Sequence, residues 1–180
     1  MRGMEPPTLE GNDVRLVPLD LDVLDGMKAL GTDPNVLRFT YISAPFTREN
    51  ARAWIQRYID GWTDGTRAGF SIQSMEGTFF GMAAVIEFSR ETRQGEIGYI
   101  LAPEARGRGV ATAALRLLGD WAIGKLGLAR VELRIAADNS ASIAVAERCG
   151  FVYEGTLRSL YFKDGLRADT AIYSRLPDDG

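Results

Sequence analysis

The chain has 180 residues, 46% of them hydrophobic and 25% charged, and its 21 Lys and Arg against 24 Asp and Glu leave a net charge of −3. This is the length of a single soluble domain, expected to span 1–180, and the weak negative charge gives no general attraction to nucleic acid or an anionic membrane, so a small-molecule partner is expected. With no histidine and one cysteine, Cys149, the composition excludes Ser-His triads, imidazole metal sites, an internal disulfide and a cysteine metal cluster; no metal is expected, and proton transfer falls to Glu, Asp, Tyr, Cys, Lys, Ser or water.

The opening MRGMEPPTLEG lacks the apolar core of a signal peptide, and no run approaches the ~18 apolar residues of a membrane span, which implies a cytoplasmic protein. After the turn-like Gly11-Asn12-Asp13, the alternation in VRLVPL predicts a first strand. Asp20 is placed to cap a helix that reaches Leu30 and ends near Gly31, followed by a loop holding Pro34 and Pro45. Thr47-Arg48-Glu49-Asn50 resembles a capping box with Asn50 in the place of Glu or Gln. It opens a helix with Ala51, Trp54, Ile55, Tyr58, Ile59 and Trp62 on one side; this stripe reads as core, with an acceptor-pocket lining as the alternative.

From Arg67 the period changes to that of strands: AGFSIQSM, TFFGMAAVIEF and QGEIGYIL, joined too briefly for parallel crossovers, predict an antiparallel meander. RVELRIAA is a further strand. Asp138-Asn139-Ser140 starts a helix whose Ile143, Val145, Ala146 and Cys149 face inward and which closes at Gly150. A final strand pair turns at Lys163-Asp164-Gly165.

Between the third meander strand and the following helix lies the most informative stretch, residues 95–114, GEIGYILAPEARGRGVATAA. Ile97, Tyr99, Ile100 and Leu101 form a buried strand, and Val110, Ala111, Ala114, Leu115, Leu118, Trp121 and Ala122 recur at helical spacing. Gly107 and Gly109 between them let the backbone approach a ligand, and a helix starting there offers unpaired N–H groups and its positive dipole end. That combination is a cradle for phosphate. A dinucleotide fold needs G-x-G-x-x-G or A in the first strand-helix unit of a parallel sheet, and a P-loop needs G-K-[ST]; neither is present.

Arg106-x-x-Gly109-x-Ala111 instead resembles the R/Q-x-x-G-x-G/A signature of the GNAT superfamily of N-acetyltransferases, and Asn139-x-x-Ser142 with Gly150-Phe151 resembles its second signature. The wording EIGYIL, RGRGVAT and NSASIAVAERCGF, with Gly165, Asp169 and Tyr173, is most similar to the branch that includes ribosomal-protein N-terminal acetyltransferases. The resemblance spans nearly the whole chain. It implies an α/β (α+β layered) GNAT fold with a mixed, mostly antiparallel sheet, splayed at the acyl-CoA site and flanked by helices. The implied reaction passes acetyl from acetyl-CoA, the co-substrate, directly to an amine within a ternary complex.

Carried over by position, the resemblance assigns the CoA pyrophosphate to backbone N–H groups of Arg106, Gly107, Arg108, Gly109, Val110, Ala111 and Thr112, with the Arg106 and Arg108 side chains adding charge or lying in solvent. It places backbone groups of Tyr99 and Leu101 beside the acetyl carbonyl and the pantetheine arm. Asn139 would touch the pantetheine or thioester region, cap its helix, or do both. Ser142, one turn along, would donate to the CoA sulfur as it leaves, or else merely cap the helix; the tyrosine many relatives carry four residues before the G-F glycine is here Ala146, which shifts that role to Ser142.

The amine must lose a proton, from a pKa of about 10 for an alkyl amine or about 8 for an α-amine. Glu96 is the carboxylate best placed for burial, which raises a carboxyl toward useful base strength, although its pleat is opposite that of Tyr99 and Leu101. Glu87 and a water chain are the competing routes, and an arginine ion pair is the non-catalytic reading of Glu96. Tyr153 and Tyr161 would shape the acceptor end, serve as proton donors, or pack in the core or at the rim, and Cys149, expected inside, is a poor nucleophile. The acceptor is a protein N-terminal α-amine or a small molecule such as an antibiotic, polyamine or amino acid, and a non-catalytic acyl-CoA-binding module is the alternative of another class. The branch also implies a homodimer.

Overall fold

The structure, a computed structural model, describes residues 5–179. It opens with a two-residue strand that the sequence pattern does not announce, β1 (Leu9–Glu10), followed by the predicted first strand, β2 (Arg15–Pro18). The Asp20 carboxylate accepts from the Asp22 N–H at 2.8 Å and starts a 3₁₀ turn at Leu21–Val23 that runs into α1 (Leu24–Leu30). The next segment departs from expectation: Pro34–Phe39 is a helix, α2, rather than loop. Asp33 Oδ1 accepts from the Val36 N–H at 2.9 Å, and Pro34 at the first helical position has a preset φ and no N–H to leave unpaired. α3 (Arg48–Asp64) begins in the predicted capping box, Thr47 and Asn50 bonding reciprocally, and buries Ala51, Ile55, Tyr58 and Trp62.

β3 (Ala68–Gln73), β4 (Phe79–Ser89) and β5 (Gln94–Leu101) make the predicted antiparallel meander. The chain then crosses through α4 (Val110–Gly124) to β6 (Arg130–Ala136), α5 (Ser140–Arg148), β7 (Val152–Lys163) and β8 (Leu166–Arg175). Asp164 and Gly165, with φ of 50° and 81°, supply the two left-handed residues that a two-residue hairpin turn needs. The strands form one mixed sheet in the order β1-β2-β3-β4-β5-β6-β8-β7, as the expected fold class requires.

The contact that positions the site is the parallel pairing of β5 with β6. It covers only Gln94↔Arg130, Gly95↔Val131 and Glu96↔Glu132. Beyond Glu96, β5 keeps its partner β4 as far as Gly81↔Leu101, while β6 keeps β8 as far as Ala136↔Thr170. The sheet therefore splits between β5 and β6.

Helices cover both faces. Ile97 and Leu101 of β5 and Val131, Leu133 and Ile135 of β6 join α4 and α5 in the larger buried cluster, while Met82 and Ala84 of β4 join α1, α2 and α3 in the other. Trp62, at the end of α3, belongs to the larger cluster; its ring lies 5.4 Å from that of Phe70 and 5.8 Å from Trp121, in edge-on or steeply tilted geometry. Among the described residues, no helix is long and apolar enough to cross a membrane. Phe70 is fully buried at the centre of this aromatic group. Phe70→Ala is expected to cost about 3 to 5 kcal/mol through lost transfer energy and a residual cavity, measured as a lower urea midpoint at unchanged slope.

Candidate active site

The loop after β5 turns through Pro103–Ala105 and reaches α4 by way of Gly107 and Gly109, whose φ values are 71° and 77°. Nothing lies within 4 Å of where a Cβ would stand on either glycine, so the loop presents bare backbone to open space. Gly109 is the N-cap of α4 and no side chain caps that end. The first N–H groups of α4, on Val110, Ala111 and Thr112, have no intrahelical acceptor and carry the positive end of the helix dipole. These are features to which a pyrophosphate would fit through backbone groups.

The two arginines of the loop are engaged with protein. Arg106 forms a bidentate pair with Asp33, at 2.7 and 3.2 Å, and donates to the Leu101 carbonyl at 2.9 Å. Its guanidinium holds the Asp33 carboxyl below the usual range. Arg106 thus joins the loop, the end of β5 and the cap of α2, a contact neither the ligand nor the solvent reading of its side chain anticipates. Arg108 lies 5.3 Å over the Phe80 ring and donates to the Glu104 carbonyl at 3.3 Å.

Across the split, the Tyr99 phenol donates to Ser142 Oγ at 3.2 Å. Asn139 Oδ1 accepts from the Ser142 N–H at 3.2 Å, so Asn139 caps α5. Tyr99 and Ser142 stand 43 residues apart in sequence, and no local spacing signals their contact. The Cys149 thiol is buried against the Thr112 carbonyl at 3.5 Å, and burial pushes its pKa up, which leaves it a poor nucleophile. Tyr161 donates to the Thr40 carbonyl at 2.7 Å and Tyr153 bonds Thr156 at 2.8 Å on the exposed β7.

Glu96 occupies the base of the split on the face opposite the larger cluster. It lines an open cleft of about 570 Å³ with Glu87, Glu132, Arg67, Arg130 and Arg134. Arg134 Nε lies 3.5 Å from its carboxylate. Burial pushes the Glu96 carboxyl above the usual range; the Arg134 charge opposes this and the Glu87 and Glu132 charges add to it. Glu132 is bound by both Arg130 and Arg134 at 2.8 Å. Sequence reading missed Asp33 and Arg134 as neighbours of the site, although Asp33-Pro34 is a helix-start signal that could have been read.

Residues 13–152 match the family described as Acetyltransferase (GNAT) domain. The chain belongs to the GNAT acetyltransferases. It is 37% identical over 123 residues, 68% of the chain and 64% of the relative's length, to the Bacillus subtilis protein named "Putative ribosomal N-acetyltransferase YdaF". It is 29% identical over 106 residues, 59% of the chain and 61% of the relative, to a spermidine N(1)-acetyltransferase of Vibrio cholerae. In fold it is similar to Mycobacterium smegmatis RimJ in complex with CoA-disulfide, with TM-score 0.89 at 22% identity over 99% of this chain and 91% of that one. The acetyltransferase is thus an acetyl-CoA-dependent enzyme that acetylates nitrogen.

A side chain at Gly109 would enter the loop's open space and strain a left-handed residue. Gly109→Val is expected to weaken CoA binding about tenfold or more, roughly 1.4 kcal/mol, in calorimetric titration, with the circular dichroism spectrum retained.

Proposed function

We propose that this acetyltransferase acts as one catalytic domain on the α-amine of a peptide or protein N-terminus, in the cytoplasm, by direct attack on acetyl-CoA. The observation that carries the acceptor class is the charge of the cleft at Glu96: three glutamates, Glu87, Glu96 and Glu132, face three arginines, Arg67, Arg130 and Arg134. A polyamine carries several positive charges and calls for surplus carboxylate; this cleft offers a balance, with Glu132 already held by two arginines. An α-amine, with a pKa of about 8, also asks less of its base than an alkyl amine at about 10. The name of the YdaF relative points the same way.

In this reading Glu96 is the general base, directly or through one water. Its pleat is opposite that of Tyr99 and Leu101, and this reading has the amine reach it, directly or through the water, where β5 and β6 part, immediately beyond the Glu96↔Glu132 pair. The amine nitrogen bonds to the acetyl carbon and its proton passes to Glu96. The C–S bond breaks, Ser142 donates a hydrogen bond to the leaving sulfur, and the thiol proton arrives from solvent. Backbone groups of Tyr99 and Leu101 flank the thioester, the loop from Arg106 to Thr112 holds the pyrophosphate, and no covalent enzyme intermediate forms.

A base must be deprotonated, so kcat/KM is expected to fall as pH drops through a Glu96 pKa lying above the ordinary 4.5. Glu96→Gln should lower kcat/KM by about 10²- to 10⁴-fold with CoA affinity retained. Arg134 holds the Glu96 carboxyl down, so Arg134→Gln should move the acid limb to higher pH; a limb that stays in place removes Glu96 as the base. The acceptor is tested by thiol release from acetyl-CoA against peptides of differing N-terminal residue and a panel of small amines. Faster turnover of spermidine than of any peptide would overturn the acceptor class, and silence across both with intact CoA binding would overturn catalysis itself.

A further inference from the structure

The helix position where many GNAT relatives place a tyrosine holds Ala146, fully buried in this fold. A phenol nevertheless reaches α5, from the other wall of the split: Tyr99 of β5 donates to Ser142 Oγ at 3.2 Å. The Tyr99 ring packs against the larger core cluster, which fixes where its hydroxyl can go. Burial also pushes the phenol pKa above its ordinary value, so it remains a neutral donor through the working range of the enzyme. Asn139 meanwhile ties the Ser142 backbone N–H into the cap of α5. The serine is thus held from two sides, its main chain by Asn139 and its side chain by Tyr99.

We propose that Tyr99 is a positioning residue for the transfer step, its phenol setting the Ser142 hydroxyl so that the serine's own proton is directed to the departing CoA sulfur. The inference rests on the reading of Ser142 as the donor to that sulfur. A hydroxyl carries one donor and two acceptor sites. With one acceptor site taken by Tyr99, rotation of the serine hydroxyl is restricted, and accepting a hydrogen bond makes its own O–H a stronger donor. The electron pair of the C–S bond leaves on sulfur as the C–N bond forms; Ser142 stabilises the thiolate through its hydrogen bond. The Tyr99 phenol neither gains nor loses a proton, and its partner is Ser142 rather than either substrate.

The test is a double-mutant cycle on the full chain, read as the single-turnover rate of acetyl transfer at saturating acetyl-CoA and peptide. Tyr99→Phe keeps the ring and removes one hydroxyl. It is expected to slow transfer about tenfold, the scale of one lost hydrogen bond, while KM for acetyl-CoA changes less than twofold and the melting temperature is kept. In a Ser142→Ala background the same substitution should change the rate less than twofold, because the group it positions is gone. An unchanged rate in Tyr99→Phe overturns the proposal, and so does an equal loss in both backgrounds, which would mean that Tyr99 acts without Ser142. Ser142→Ala measured alone separates the two claims. If it transfers at the native rate, the reading of Ser142 fails and this one with it; if it is slowed while Tyr99→Phe is not, only the positioning role fails.

Discussion

A buried backbone N–H or C=O without a partner costs about 1 to 3 kcal/mol, and the parting of β5 from β6 beyond Glu96 leaves the facing edges of both strands short of strand partners. The split survives because each strand is held from its outer side, β5 by β4 and β6 by β8, and because α4 and α5 pack beneath both. The opening is therefore a property of the whole sheet. It supplies a slot lined with unspent hydrogen-bonding groups, and an amide-bearing chain such as the pantetheine arm is suited to fill it. The glycine loop stands at the mouth of that slot and Glu96 at its base.

Arg106 shows how such a slot is kept in register with its surroundings. Its five donors are divided between the two oxygens of Asp33 and the carbonyl of Leu101, the last residue of β5. Asp33 in turn caps α2. One half-buried guanidinium thereby sets the end of the strand and the start of a helix on the other layer relative to the glycine loop. The price is that its charge is already neutralised at short range, so in the proposed reading the pull on a phosphate comes from the oriented N–H groups of α4. A lysine, with one point of charge and no fork, could not make all three contacts in this geometry.

Much of this was legible in the residues. QGEIGYIL covers the strand β5, Thr47 and Asn50 cap α3 as their spacing indicates, and the glycines at 107 and 109 take the left-handed φ that the turn requires. Local chemistry decides such features. Helix α2 turns on one pair of residues: Pro34 alone is a loop signal, whereas with Asp33 before it as the cap the same residue starts a helix. Contacts between distant segments had no local trace. Tyr99 with Ser142, Arg106 with Asp33, and Glu96 with Arg134 depend on the path of the chain through the crossover and on which face each strand turns to each layer. The alternation along β5 places Glu96 on the pleat opposite Tyr99, and the parallel pairing puts it at the last β5–β6 pair before the strands part.

The even count of glutamates and arginines around the Glu96 cleft has a kinetic side. A cleft lined by one sign of charge focuses the electric field and draws oppositely charged ligands in faster than chance, with a strong dependence on salt. Opposed charges a few ångströms apart cancel at the distances over which an incoming molecule is steered, about 8 to 10 Å at physiological ionic strength. If this cleft receives the acceptor, as proposed, encounter there is governed by ordinary diffusion and orientation, and acceptors are sorted after arrival, by the fit of the groups next to the amine.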